Sequence, residues 1–293
     1  MKTSDQTTIA VVRTFQAQAT MENFDLEKFK KGRVKPIKKL LDDNHPDLKA
    51  IVVVVCGDQN SPHGEIVTQG STPTINHLRQ AFPTEVENGK IIPIICRNWG
   101  GNVGSSTALN AGIDVALKNG AHNVLAWSPR VPLTGLMLDE MLDHQAKHNL
   151  TLVGYVRRNW YRQMSWMFAQ NNCALWSAEL LHMINGMNPD CNGIGETVEV
   201  GEQQVSLAGM EDIEGYLRAS RSTKCFFPWG MVGIEHPVEG DESLKLPGTL
   251  EFEKHQMKNL RQNAVMTAYA QKHYPELSPE EVFENIFCVV RFA

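Results

Sequence analysis

Two adjacent carboxylates, Glu211 and Asp212, are residues whose type and position could support acid–base chemistry. They stand within Met210–Arg218, which is predicted to begin an acidic helix. A carboxylate placed against a hydroxyl can remove its proton, and a general base of this kind accelerates a reaction by about 10²–10⁴-fold. Acids also cap helix N-termini routinely and are stabilised there by the helix dipole. The local sequence leaves both roles open.

A glycine-rich turn between an apolar run and a helical pattern is a second candidate for ligand contact. Ile91–Ile95 has the continuous apolar character of a buried parallel strand, and Ala108–Leu117 repeats apolar residues at helical spacing. Between them, Asn98–Gly104 contains three glycines, which let the backbone turn tightly and approach a ligand. The spacing matches neither the dinucleotide fingerprint nor the P-loop, so close helix–strand packing is the favoured role of these glycines.

An alternation of strands and helices positions this turn. Five apolar runs predict strands, at 9–12, 50–55, 91–95, 124–127 and 150–156. Helical segments lie between them, so the fold class is α/β, with a mostly parallel central sheet and helices on both faces. The second half is mixed: a glycine-rich stretch at 186–204, a short strand ending near Ile234, and a helical extension over 251–273 and from Ser278 onward.

The predicted topology gathers several polar segments at one edge of the sheet. Asp58 follows the second apolar run, Asn98 opens the glycine-rich turn, and Ser128–Arg130 follows the fourth strand. Ligands of open parallel sheets bind outside the carboxyl ends of the strands. These segments are therefore expected to lie on one ligand-binding rim.

Composition excludes several classes of function. The chain of 293 residues has a net charge of −5 and a pI near 6.1, which argues against nucleic acid as a partner; its longest basic block, Lys28–Arg33, is interrupted by Phe29 and Gly32. No apolar run approaches the roughly 20 residues of a transmembrane helix, and the N-terminus lacks a signal-peptide core. The six cysteines show no metal-site spacing. We expect a cytoplasmic protein.

Three motifs in order resemble the inverting glycosyltransferases of the family 2 type, which have the GT-A nucleotide-sugar-binding fold. Val52–Asp58 is similar to that family's apolar strand ending in acids that hold the nucleoside. Asn98–Ile113 resembles its N-x-G-x-x-x-A-x-N-x-G helix below the donor, and Gly209–Asp212 resembles its G-x-E-D helix start. The resemblance implies a GT-A-like domain over 1–240 and a C-terminal helical extension over 241–293 that packs on it.

The resemblance also implies roles for particular residues. It makes Asp212 the catalytic base, with Glu211 beside it. Contacts to a nucleotide-sugar donor are expected from Asp58, Asn98, Gly101, Asn110 and Ser128. Two tryptophans, Trp160 and Trp176, could stack against the sugar face of a glycan acceptor, although buried core aromatics are the default for such residues. Turn chemistry is the equally open alternative for Asp58.

One departure from the family concerns the metal. Where the family has its D-x-D motif, directly after the fourth strand, this chain has Ser128-Pro129-Arg130. Mg²⁺ or Mn²⁺ prefers carboxylate oxygens, which serine and arginine do not supply. We therefore predict no metal ligands and no certain cofactor, with Mg²⁺ or Mn²⁺ as the alternative that stays open. Arg130 places a fixed positive charge where the donor diphosphate is expected, helped by cations such as Arg157; a solvated arginine is the alternative.

Three functions follow from these features. The first is a glycosyltransferase of the hexosyltransferase type that transfers a sugar from a nucleotide-diphosphate donor to a hydroxyl with inversion, without dependence on a metal. The second is a catalytically inactive GT-A-like protein that binds a nucleotide-sugar or glycan as a regulatory or scaffold module, which the missing D-x-D favours. A nucleotidyltransferase would need a glycine-rich basic loop after the first strand, and Arg13–Gln18 is not one.

Overall fold

The computed structural model describes most of the first 187 residues and shorter stretches beyond them. The described ranges are 6–14, 24–57, 65–97, 106–129, 131–157, 173–187, 197–200, 203–206, 231–236, 274–278 and 289–292, together with residues 253, 271 and 281. The boundary expected at residue 240 lies outside these ranges.

Nine of the strands with described bounds form one sheet, in the order β11-β10-β6-β7-β5-β1-β2-β4-β3. They are Thr8–Thr14 (β1), Leu48–Cys56 (β2), Ile66–Val67 (β3), Ile91–Cys96 (β4), Asn123–Trp127 (β5), Leu152–Arg157 (β6), Cys173–Ser177 (β7), Met231–His236 (β10) and Val289–Phe292 (β11). Two further strands, Thr197–Val200 (β8) and Gln203–Ser206 (β9), pair antiparallel with each other.

The sheet is parallel except at β3 and β7, which run antiparallel to their neighbours. β1 lies in the interior of the sheet, where Val11 is the register partner of Val52 of β2 and of Ala126 of β5. The aliphatic run of β2 is buried along nearly its whole length, as expected for a central strand covered on both faces. The mostly parallel α/β sheet predicted from the sequence is therefore confirmed.

Seven α-helices with described bounds connect the strands. They are Leu26–Phe29 (α1), Lys35–Asp42 (α2), Pro73–Ala81 (α3), Pro83–Glu87 (α4), Ser106–Lys118 (α5), Gly135–His148 (α6) and Ala178–Ile184 (α7). Local chemistry fixes several ends. Thr72 Oγ1 accepts a hydrogen bond from the Ile75 amide at 3.1 Å, directly before Pro73. Asn149 and Asn185 end α6 and α7 in the left-handed conformation.

The first helical segment is longer than the sequence pattern predicts. The proline rule predicts a helix that opens at Pro36. Helical backbone instead runs from Leu26 to Asp42, because a π-helical turn, Lys30–Val34, joins α1 to α2. In a π turn the amides bond five residues back, which relieves the conflict between a proline ring and the carbonyl four residues before it.

The α5 face of the sheet is covered by α5 and α7. Ala108, Leu109 and Ala116 of α5 are completely buried there. At Gly112 a Cβ atom would collide with the side chain of Val11. The helix therefore lies close against the sheet because it presents small residues.

The α2 face is covered by α1, α2, α3 and α6. Larger side chains fill it, including Phe29, Ile37, Leu40, Leu78 and Leu138. The helices on this face therefore contact the sheet through longer side chains than those of α5.

Five of the described strands were not predicted: β3, β7, β8, β9 and β11. β7 inserts antiparallel between β5 and β6, and β11 pairs with β10 at the edge of the sheet, where the sequence indicates only a helical extension. β11 ties the end of the chain to the central sheet by backbone hydrogen bonds. None of the helices in the described ranges combines the length and apolarity needed to cross a bilayer.

Candidate functional site

The strand order marks one place in the sheet as a ligand site. From β1 the chain builds outward through β2 and β4 on one side and then crosses to β5 on the other side of β1. This reversal of the strand order is a topological switch point, and open α/β sheets bind ligands at the carboxyl ends of the strands there. Thr14 of β1 and Ser128, which follows β5, stand at this edge.

A compact turn follows β5 at the switch point. The carbonyl of Ser128 accepts a hydrogen bond from the Val131 amide at 2.8 Å. The indole Nε1 of Trp127 donates to the Val131 carbonyl at 2.9 Å, and this indole is buried. These two hydrogen bonds fix the turn. They hold the half-buried Ser128 at the carboxyl edge of the sheet, where the sequence predicts a donor contact.

The ends of β2 and β4 are bonded together at the same edge. The Gly57 amide donates to the Cys96 carbonyl at 3.1 Å, and the Arg97 amide donates to the Glu65 carbonyl at 2.8 Å. The Arg97 guanidinium also pairs with the Glu65 carboxylate at 2.9 Å. These contacts fix both ends of the segment 58–64. No pattern in the sequence indicates the Arg97–Glu65 pair.

Gly57 is needed for the close approach of these strands. A Cβ atom at this position would collide with the Ile95 side chain and lie 3.2 Å from Cγ of Arg97. The backbone of β2 can therefore reach the edge beside Arg97 only without a side chain at residue 57. Asp58, the expected nucleoside contact, is the next residue along the chain.

Two cysteines stand side by side at this edge. Cys56 of β2 and Cys96 of β4 are register partners. Burial, and to a smaller extent the neighbouring Cys56, raise the pKa of the Cys96 thiol to about 12. The Cys96 thiol is therefore neutral at physiological pH and contributes neither a nucleophile nor a negative charge to the edge.

Asn110 has a structural role that the sequence analysis did not predict. Its Nδ2 donates to the Met187 carbonyl at 2.6 Å, and its Oδ1 accepts from the Met187 amide at 2.7 Å. Gly186, in the left-handed conformation with φ 71°, leaves room for this contact. The amide that was expected to contact the donor instead joins α5 to the chain that follows α7.

Trp176 is not an acceptor platform. It lies in β7 between Val124 of β5 and Leu152 of β6, and only 1% of its surface is exposed. A sugar needs an open indole face to stack on, and this indole is enclosed by the α5-face core. The default interpretation, a core aromatic, is the correct one for Trp176.

The second half of the sheet brings two further residues to the carboxyl edge. Arg157 ends β6 and His236 ends β10, and the two are register partners in a parallel pair. β6 runs parallel to β5, since both are antiparallel to β7. Arg157 and His236 therefore end their strands at the same edge as Ser128. The sequence indicates Arg157 as a helping cation but does not show that His236 ends the neighbouring strand.

The remaining predicted site residues lie outside the described ranges. They are Asp58, Asn98, Gly101, Arg130, Trp160, Glu211 and Asp212. Gly57, which precedes Asp58, and Pro129, which precedes Arg130, are described and lie at the carboxyl edge.

The residues after β5 do not fit a divalent metal. Ser128 offers a neutral hydroxyl and Pro129 offers no side-chain oxygen, whereas Mg²⁺ and Mn²⁺ prefer carboxylates. Among the residues that the structure describes, no group of three or more His, Cys, Asp or Glu side chains could hold a metal ion.

Comparison with known proteins gives a likeness in structure without one in sequence. No protein-family model and no curated protein matches the chain. The chain is similar to the mannosyltransferase PcManGT from Pyrobaculum calidifontis, solved in complex with GDP-Man and Mn²⁺. The TM-score is 0.53 at 14% identity, over 98% of this chain and 69% of that one.

Two weaker likenesses are to other solved structures. The S. aureus protein TarS in complex with UDP-GlcNAc has a TM-score of 0.42 at 10% identity, over 94% of this chain and 75% of that one. The 4-diphosphocytidyl-2C-methyl-D-erythritol synthase from Anaerococcus prevotii has a TM-score of 0.43 at 11% identity, over 89% and 96%. Both are too distant to bear on function.

The likeness to the mannosyltransferase concerns the fold alone. Together with the strand order and the helices on both faces, it shows that this chain has a GT-A-like α/β fold. The fold expected from the sequence resemblance is confirmed.

Proposed function

We propose that the chain is a glycosyltransferase that moves a sugar from a nucleotide-diphosphate donor to a hydroxyl of a glycan or another acceptor, with inversion at the anomeric carbon. The observation that supports it is the carboxyl edge between β1 and β5. There a GT-A-like sheet has its switch point, and the turn held by Trp127 and Val131 carries Ser128 at that edge.

The donor is proposed to lie along this edge. Asp58 accepts from the nucleoside, and Asn98 and Gly101 form the wall above α5. The diphosphate lies near Ser128 and Arg130, where an arginine offers a fixed, planar set of donors to phosphate oxygens. One guanidinium carries half the charge of a divalent ion, so a second cation is needed. Arg157, which ends β6 at the same edge, is the candidate for it.

The transfer itself is proposed to be a single displacement. Asp212, with Glu211 beside it, takes the proton from the acceptor hydroxyl as its oxygen attacks the anomeric carbon. The bond from that carbon to the diphosphate oxygen breaks, and the electron pair leaves with the nucleoside diphosphate. Because attack and departure occur on opposite sides of the carbon, the configuration inverts. The arginines stabilise the charge that develops on the leaving group.

The proposal predicts that a metal is dispensable. Purified protein is to be incubated with a panel of UDP- and GDP-sugars, and donor hydrolysis and transfer are measured with EDTA and with Mn²⁺. Equal turnover in both supports the arginine mechanism. Turnover that requires Mn²⁺ contradicts it, because the residues after β5 supply no carboxylate to hold the ion.

The base is tested by Asp212→Asn, which removes the proton acceptor and keeps the shape. We expect kcat to fall by about 10²–10⁴-fold while donor affinity is kept. Asp143→Asn, at an exposed position of α6, is the matched control and leaves kcat unchanged. Full activity of Asp212→Asn excludes Asp212 as the base.

A second candidate function is a nucleotide-sugar- or glycan-binding module without turnover. The observation that favours it is Ser128-Pro129 at the position of the family's metal motif, which is compatible with lost catalysis. Titration calorimetry with UDP and GDP separates the two functions. Nucleotide binding without turnover on any donor of the panel supports the binding module, and turnover of any donor excludes it.

A further inference from the structure

Positive charge is concentrated on one short segment of this acidic protein. Residues 28–39, from the end of α1 into α2, contain seven basic residues and no acidic one, whereas the whole chain has 28 basic and 33 acidic residues. The seven are Lys28, Lys30, Lys31, Arg33, Lys35, Lys38 and Lys39. All six lysines are exposed. Clustering of this kind creates a positive potential at one patch of the surface even when the net charge is negative.

An apolar groove of about 770 Å³ lies beside these lysines. Four of them line it, Lys30, Lys35, Lys38 and Lys39. Its remaining lining is Val34, Pro36, Asp42, Ala81, Pro129, Pro132 and Leu133. The groove is thus open to solvent, apolar inside and positively charged at its rim.

Two of the rim lysines are engaged and two are available. Lys30 pairs with Glu27 at 2.9 Å, and Lys38 pairs with Asp42 at 2.8 Å. Lys35 and Lys39 make no ion pair with any residue in the described ranges. Within the described ranges, the rim therefore carries two lysines whose charge is paired with no carboxylate.

An exposed leucine stands next to the groove. Leu136, in the first turn of α6, is 81% exposed, and Ile66, at 37%, is the other large hydrophobic side chain that is exposed in the described part of the chain. Leu136 follows the groove residue Leu133 closely in sequence. The preceding amide, Gly135 N, donates to the Asp43 carboxylate at 2.8 Å, next to the groove residue Asp42.

We propose that the lysine groove together with Leu136 binds the surface of an anionic phospholipid bilayer. The lysines lie at the level of the lipid phosphates, Leu136 enters the acyl boundary, and the groove accepts part of one lipid chain. Basic clusters of four to eight Lys or Arg on a helix are typical of such binding. A nucleic acid would use the charge but would have no use for the apolar lining or for Leu136. The lysine segment also contains the π turn Lys30–Val34, and π turns are frequent at functional sites.

The groove also adjoins the carboxyl edge. Pro129 and Leu133 belong to the segment that follows Ser128 after β5. Membrane binding through the groove would therefore hold this edge near the bilayer. Membrane binding needs no sugar donor. A test of membrane binding can therefore succeed or fail independently of the proposed glycosyltransferase activity.

The test is cosedimentation with vesicles. Full-length protein is mixed with phosphatidylcholine vesicles that contain about 30 mol% phosphatidylserine, and with pure phosphatidylcholine vesicles. We expect partition onto the anionic vesicles only. Raising the salt from about 0.1 M to about 1 M shortens the Debye length from about 10 Å to about 3 Å, and binding should then be lost.

Matched variants separate the groove from general surface charge. Lys35→Gln/Lys39→Gln should weaken partition by about 30-fold, whereas Lys49→Gln/Lys118→Gln, at exposed positions away from the groove, should leave it nearly unchanged. Leu136→Ala should weaken partition by about 10-fold, and Ile66→Ala is its apolar control. Circular dichroism of each variant verifies that it is folded.

Three results would overturn the proposal. The first is equal partition of the protein onto neutral and anionic vesicles. The second is a loss of partition in the control lysine variant as large as that in Lys35→Gln/Lys39→Gln. The third is unchanged partition of Leu136→Ala combined with tight binding of the protein to single-stranded RNA. The last result would identify the patch as a nucleic-acid surface.

Discussion

On one face of the sheet, α5 presents Ala108, Gly112 and Ala116 and lies close to β1 and β2. On the other face, α2 and α6 stand on large side chains, and a groove of about 770 Å³ opens beside α2. The two faces therefore differ in the side chains that cover the sheet and in what lies outside them.

The α5 face is suited to positioning the carboxyl edge, and the α2 face is suited to binding a partner. A helix packed through small residues cannot move without collision, so α5 is held rigidly against β1 and β2. On the other face, α2 carries exposed lysines beside the groove. The rigid face positions the proposed donor site, and the open face provides the surface for a larger partner.

The largest effect is expected at Gly112. Gly112→Ala places a methyl group against Val11, whose branched side chain has little rotamer freedom. We expect a loss of about 2–3 kcal/mol in the free energy of unfolding, measured by urea denaturation. Gly32→Ala is the matched control on the α2 face, because its Cβ would meet no atom within 4 Å. It should stabilise by about 0.5–1 kcal/mol. Equal effects of the two substitutions would remove the contrast between the faces.

The next effect concerns the clamp between α5 and Met187. Asn110→Ala leaves the amide and the carbonyl of Met187 without their partners. We expect a loss of about 1.5 kcal/mol in the free energy of unfolding. Asn119→Ala is the control, since the Asn119 side chain donates to the Val115 carbonyl, which also accepts the Asn119 backbone amide, and it should cost less than about 0.5 kcal/mol. If Asn110→Ala weakens nucleotide binding and leaves stability unchanged, Asn110 is a donor contact after all.

A smaller effect on the free energy of unfolding is expected at Tyr155, which packs in the core of the α2 face. Its hydroxyl donates to the Glu140 carboxylate at 2.7 Å, and burial, followed by that hydrogen bond, raises the pKa of the phenol well above its usual range. A group whose pKa is raised in the folded state stabilises the fold below its unfolded pKa, about 10 for tyrosine, and this stabilisation is lost as the pH rises above it. Tyr155→Phe should cost about 1 kcal/mol at neutral pH.

The pH dependence provides the control for Tyr155. Above pH of about 10, the stability of the wild-type chain should fall more steeply with pH than that of Tyr155→Phe. Parallel stability curves for the two proteins would show that the phenol ionises as easily in the folded protein as in the unfolded chain.

The smallest effect distinguishes the two faces by reactivity. Burial raises the pKa of the Cys173 thiol, on the α2 face, and of the Cys96 thiol, on the α5 face, to about 12. Both should resist iodoacetamide at pH of about 8, because the thiolate is the reactive form. Cys56 is partly exposed and should be alkylated first, as peptide mass spectrometry can follow. Rapid alkylation of Cys173 but not Cys96 would show that the α2 face opens to the reagent.

Local chemistry explains what the sequence predicts well. The sequence predicts helices from Thr72-Pro73 through Phe82, over Leu136–His148 and over Ala178–Ile184. α7 has these bounds, and α3 and α6 differ from them by one residue, because Thr72-Pro73, Asn149 and Asn185 fix helix ends locally. The parallel strands of the first half follow from uninterrupted aliphatic runs that only a sheet covered on both faces can bury. The α/β class and the carboxyl edge follow from these signals.

The candidate site is less predictable because its contacts join distant parts of the chain. Asn110 and Met187 are 77 residues apart, and no local pattern distinguishes an amide that clamps a backbone from one that contacts a ligand. Trp176 is buried because β7 inserts between β5 and β6, which its own five residues do not indicate. The meeting of Arg157 with His236 depends in the same way on the order of strands.

The sequence by itself determined the α/β class, most helix ends and the absence of carboxylates after β5. These depend on backbone preferences and hydrophobic periodicity, which act over a few residues. Only the tertiary structure decided which polar groups stabilise the fold, which cations share the carboxyl edge, and where lysines surround an apolar groove. Such neighbours are set by packing between elements far apart in the chain, where each contact depends on all the others being made.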